Sequence, residues 1–166
     1  MTSRKSRRGI FVAISACLAL LLCAAVALAV VPNQGKYVGK SSQKRKTVVK
    51  VNSKHRITYF RQQWKAVCEK KDSSGHHLTW GPDGTVDVDG SKDKIKQDGT
   101  GEFHDSGKYQ SNPDSNGYVG HFTIDLSGNF TGKTKADGDF SVKIKVTRNG
   151  NFVDRCHKSV TWHVPS

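Results

Sequence analysis

Beyond Val31 the sequence lacks any stretch with a convincing 3.6-residue apolar period, which excludes a substantial helix from most of the chain. Glutamate is nearly missing. Glu69 and Glu102 are the only two, and nothing in their positions sets them together as the carboxylate pair of a glycosidase. There is no G-x-S-x-G, so the serine nucleophile elbow is excluded. No close Cys/His spacing matches a zinc site. His76 and His77 are adjacent, and on a strand they would point to opposite faces. A calcium loop fails as well: counted from Thr85, position twelve is Lys96, where a bidentate acid is needed. The aspartates between Asp83 and Asp98 read instead as turn formers. The expectation is a protein with no metal or other cofactor and no catalytic residue.

Acid is also short in one region. Residues 30–71 carry twelve Lys or Arg against the single acid Glu69, whereas residues 72–166 carry eleven against thirteen acids. The formal charge of +13 on 166 residues therefore sits towards the N-terminus.

Cysteine is scarce and falls in two places. Cys17 and Cys23 lie within the uninterrupted apolar run Ile10–Val31, which follows Arg4, Lys5, Arg7 and Arg8. Such a run is long enough to cross a bilayer, and its basic flank directs the remainder outward. Two readings stay open: a signal peptide cleaved after Ala27-Leu28-Ala29, or an uncleaved transmembrane anchor. A lipidation box at Ile14-Ser15-Ala16-Cys17 fits less well, because it would leave another apolar stretch after the modified cysteine. All three readings predict export, with residues 1–31 as leader or anchor and 32–166 as one exported domain. In an oxidising compartment the two remaining cysteines, Cys68 and Cys156, pair most simply with each other. Two buried free thiols are the alternative.

What is present is β structure. Ile57–Cys68, ITYFRQQWKAVC, alternates as one long strand. Thr58, Phe60, Gln62, Trp64, Ala66 and Cys68 would face a core, and Ile57, Tyr59, Arg61, Gln63, Lys65 and Val67 would face water. After it, Asp-Gly, Asn-Gly and Ser-Gly pairs recur from Ser74-Gly75 to Asn149-Gly150, the punctuation of hairpins. A Gly-x-Phe pattern repeats at Gly101, Gly120, Gly128, Gly138 and Gly150, read as a chain leaving a turn and dropping an aromatic onto the core. Clear strands are expected at Tyr118–Leu126, Phe140–Thr147 and His157–Val164, with Asp105–Asn116 as a loop. The expected fold is an all-β antiparallel sandwich or flattened barrel of about eight to nine strands, preceded by one N-terminal hydrophobic helix.

The segments GKYVGKSSQ, the strand ending W-K-A-V-C, the GNFTGK and GDF hairpins and the closing C-x5-W carry a resemblance. Over roughly residues 35–164 the chain resembles small exported single-domain β-sandwich proteins of actinobacteria, which have no assigned function. That group typically has T-S-Q-G-R where this chain has Ser41-Ser42-Gln43-Lys44-Arg45. The resemblance implies fold and export and transfers no catalytic residue.

Function is approached through charge. If the strand near Lys46–Asn52 pairs with Ile57–Cys68, then Lys46, Lys50, Arg61 and Lys65 form a basic surface with Tyr59 beside them. Such a surface attracts anionic envelope polymers or lipid head groups. Specific nucleic-acid binding is not expected, since no recognised motif is present. The plain alternative is a structural surface protein whose lysines only solvate an exposed sheet. A wall-polysaccharide enzyme would require acids converging on Glu102.

Overall fold

The computed structural model describes residues 30–89, 96–97 and 101–165, with backbone alone for 82–89 and 96–97. The apolar segment, with its expected helix, lies outside the described residues. Within them the chain is all-β. Nine strands form one antiparallel sheet: β1 (Gly35–Ser41), β2 (Lys46–Val51), β3 (Ile57–Lys71), β4 (His77–Asp89), β5 (Lys96–Gln97), β6 (Glu102–Gln110), β7 (Tyr118–Phe130), β8 (Ala136–Arg148) and β9 (Asn151–Val164). Their order is β4-β3-β2-β1-β9-β8-β7-β6-β5, with a further pairing of β3 to β9.

That further pairing sets the architecture. β3 and β9 run side by side at Val67 opposite His157 and Cys68 opposite Cys156, then diverge. The β1–β2 hairpin fills the fork, β2 pairing with β3 and β1 meeting β9 at Lys40 and Ser41. The hairpin tip closes the crotch with polar groups where no strand can continue the ladder. The Gln43 side-chain amide donates to the Lys65 carbonyl at 2.9 Å and accepts from the Lys65 N–H at 3.1 Å. The Ser42 N–H donates to the Thr161 carbonyl at 2.8 Å. Beyond the junction, the buried Asp154 carboxylate accepts from the N–H groups of Lys70 and Arg155. Buried backbone groups need partners, and here side chains supply them. Cys68 and Cys156 are disulfide-bonded at the junction.

The alternation of β3 holds from Phe60 onward: Phe60, Gln62, Trp64, Ala66 and Cys68 are buried. Ile57 corrects the pattern. A bulge opposite Lys50 and Val51 shifts the register, and Ile57 is buried, although parity places it with Tyr59 and Arg61. Thr147 is buried although it shares parity with the exposed Lys145: the β8–β9 register shifts beside it, and its hydroxyl meets His121 Nε2 at 3.0 Å. Asp105–Gln110 is not a loop but the second half of β6, paired with Leu126 to His121 of β7.

The Gly-x-Phe pattern leaves a turn at Gly101 and Gly150, and of those two only Gly101 is followed by a buried ring, Phe103, since Phe152 is exposed. Gly120, Gly128 and Gly138 lie inside strands, as does Gly107 of the Ser106-Gly107 pair. Phe103, Gly128, Gly138 and Trp162 are successive register partners across β6, β7, β8 and β9. A Cβ on Gly128 would come within 2.3 Å of the Phe103 ring, and one on Gly138 within 2.5 Å of the Trp162 ring. The two glycines clear the inner face so that Phe103 and Trp162 meet above them, centroids 5.8 Å apart. This lets the sheet curl tightly at that row. Elsewhere the inner faces also meet. Trp162 lies 5.4 Å from Phe60, and Trp64 of β3 lies 6.2 Å from Phe122 of β7. β3 and β7 therefore form opposing walls around one core.

Candidate functional site

The outer face of β1–β3 gathers the sequence-predicted basic residues. β1 directs Lys36, Val38 and Lys40 outward, and β2 directs Lys46, Val48 and Lys50. The register sets Lys36 opposite Lys50, Val38 opposite Val48 and Lys40 opposite Lys46. Two lysine pairs thus stand directly cross-strand on either side of a valine pair. Like charges in that relation are destabilising by roughly 0.2–1 kcal/mol each, the reverse of the opposite-charge pairing that supports a sheet. Sequence reading alone missed both pairs. Lys36 and Lys40 were not placed on the face, because the partner of β1 is not visible in local alternation.

On the β3 side, Lys50 faces Tyr59 and Val48 faces Arg61. Lys50 Nζ lies 4.5 Å from the Tyr59 ring centroid, and Arg61 Cζ lies 5.6 Å from it. One ring thus draws two cations towards itself, each contact worth about 0.5–1 kcal/mol at an exposed site. Lys46, Lys50, Tyr59 and Arg61 are brought together. Lys65 shares their face but sits further along β3, at the fork, where its backbone is held by Gln43. Val48, although outward, is only 3% exposed. The basic face is therefore a patch of charge around a valine pair of which Val48 is covered and Val38 is exposed. On the β4 flank the register sets Asp87 opposite Arg61 and Asp89 opposite Tyr59, so acidic positions border the patch.

Acids collect elsewhere. Glu102, Asp137 and Asp139 line an open groove of about 880 Å³ on the outer face over the glycine row, with His104, His163 and Lys40. Asp137 is engaged by the His163 ring and by the Thr131 hydroxyl. Glu102 and Asp137 face the intervening Asn129, so two strand spacings, about 10 Å, separate their backbones. Among the described residues one cluster of possible metal ligands occurs: Cys68, Asp154 and Cys156. Its sulfurs are joined to each other and its carboxylate to backbone N–H groups. No protein-family model matches the chain, and neither does any curated protein or solved structure.

Proposed function

We propose that the chain is an exported flattened barrel acting as a non-catalytic extracytoplasmic binding module, engaging an anionic envelope component through Lys46, Lys50, Tyr59, Arg61 and Lys65. The observation that carries this reading is the pair of like-charged cross-strand contacts, Lys36 with Lys50 and Lys40 with Lys46. A face meant only to solvate the sheet would gain stability by alternating charge. Four lysines facing one another instead favour a counter-charge from outside. The disulfide supports an oxidising compartment, in keeping with the apolar leader or anchor.

The test separates binding from solvation. The double variant Lys46→Gln/Lys50→Gln should stay within about 1 kcal/mol of the parent, because relief of two like-charged pairs offsets the loss of the Lys50–Tyr59 contact. Its retention on an anionic polymer should fall, as should that of an Arg61→Glu/Lys65→Glu variant. Retention of the parent protein should weaken steeply with added salt. Unchanged retention in both variants would leave a structural surface protein with no ligand on this face.

A further inference from the structure

The second half of the domain has a slight excess of acid in its sequence, yet the register sorts its charges. On the outer face of β6–β9, Lys108, Thr123, Lys143 and His157 form one row, and Gln110, His121, Lys145 and Arg155 form the next. These rows line an open groove of about 830 Å³ in which Glu69 is the only acid among the described lining residues. Lys145 and Arg155 are direct register partners, a third like-charged cross-strand pair. The acids Glu102, Asp137 and Asp139 lie towards the other end of the same strands. The groove joins the first basic face through β3, because Val67 is paired with His157 and Lys65 lies two residues before Val67 on the same side.

We infer that this groove is a second anion site, and that a flexible linear phosphate polymer occupies it together with the β1–β3 face. The second part rests on the function proposed above. Charge complementarity selects an anion, and geometry selects its form. β3 and β7 are opposing walls, since Trp64 and Phe122 meet across the core. Their outer faces point in different directions. A planar bilayer can lie against one of them, while a thread can follow the surface from Arg61 past Lys65 to Lys143 and Lys145. Side chains on one face of a strand recur about every 6.8 Å, and neighbouring strands lie about 4.8 Å apart. The groove thus offers closely spaced cations suited to repeating charge. Its two rows carry no Phe, Tyr or Trp, and the rings that line it, Tyr109 and Phe122, are stacked on each other, so it has no series of free platforms along which successive bases of a single strand could stack.

The experiment uses the full-length chain in neutral detergent and long-chain inorganic polyphosphate as the probe. The parent should bind with an affinity that rises with chain length. Lys143→Gln/Lys145→Gln/Arg155→Gln should bind roughly tenfold more weakly. Its slope of log affinity against log salt should be shallower by about 2, at roughly 0.7 per cation removed. A melting curve on the same variant checks that the fold is retained. If the triple variant binds as the parent does while Lys46→Gln/Lys50→Gln loses affinity, the groove is overturned and the proposed function stands. The converse result removes the β1–β3 face and keeps the groove. Unchanged binding in both variants overturns both. Anionic vesicles that compete as well as the long polymer, or tripolyphosphate that binds as tightly, would overturn the thread-like occupant.

Discussion

Tyr109 shows how a single side chain couples packing to pH. Its ring stacks on Phe122 with centroids 4.5 Å apart and planes 3° from parallel. Burial against that surface pushes the phenol up to about 12. In the unfolded chain the phenol ionises near 10. Below pH about 10 both states are neutral there, and the packing contributes fully. As pH rises from about 10 through about 12, only the unfolded state gains charge, so stability is lost across that window. Tyr109→Phe should therefore show a smaller fall in melting temperature than the parent when pH is raised into that range. Tyr37 is also raised by burial and would leave some alkaline sensitivity in the variant. A spectrophotometric titration should show one late tyrosinate fewer. Residue parity alone places Gln62 inward beside Trp64, but it does not show how a buried amide is accommodated. Thr47 donates its hydroxyl to Gln62 Oε1 at 2.7 Å, and Gln62 Nε2 donates to the Gln63 carbonyl at 2.6 Å. That answer depends on which strand lies next door.

Among the elements, the glycine row across β6–β9 carries the sharpest prediction. Gly138→Ala would set a methyl group 2.1 Å from the Ser127 carbonyl oxygen and 2.5 Å from the Trp162 ring. Neither the backbone nor a buried indole can yield cheaply, so the variant should lose about 3 kcal/mol or more, measured by denaturant titration. Gly75→Ala is a control for backbone conformation alone. Its φ of 82° is strained for alanine, but the space around it is open, so the loss should be near 1 kcal/mol. These two sites explain where sequence reading succeeded and where it failed. The long alternation of β3 and the strands Phe140–Thr147 and His157–Val164 were legible because side-chain period follows directly from strand geometry. Ser74-Gly75, Asn116-Gly117 and Asn149-Gly150 do close hairpins. Ser127-Gly128 and Asp137-Gly138 look the same locally but lie mid-strand, because a glycine that clears space for a distant ring has no local signature. Asp105–Gln110 was read as a loop for a related reason. Its inward positions hold Asp105, Gly107 and a part-exposed Tyr109, so apolar alternation disappears where the core thins out.

At the scale of the whole molecule, the disulfide and the charge distribution work at the same junction. The bridge closes a separation of 88 residues, which constrains the unfolded chain by about 4–5 kcal/mol in the chain-entropy description. Reduction should lower the denaturation midpoint by a corresponding amount, and intact mass should rise by about two hydrogens. The excess of base was legible from composition, and the all-β class from alternation and turn residues. The candidate site was half legible: Lys46, Lys50, Tyr59 and Arg61 come from two consecutive strands, whose pairing is the simplest available. Lys36 and Lys40 reach the same face through β1, and the Lys143–Arg155 groove needs the β8–β9 register. Net charge over a long segment hides such sorting, because acids and bases that alternate in order can separate in space.

The entry and exit of the chain add a direction to this arrangement. Val30 packs against the core beside Gly101 and Phe130, the Asn33 N–H is tied to the Lys133 carbonyl, and Val164 pairs with Ala136. Both ends therefore leave the sheet at the β7–β8 turn. Arg155 stands nine residues back from Val164 along β9, roughly 30 Å at strand spacing. A chain held at a surface by the residues before Val30 would have its acidic groove near that surface and its basic groove at full reach. The fold would then hold the cations of that groove clear of the layer that anchors it, while Lys36 and Lys50 of the first face stand near it.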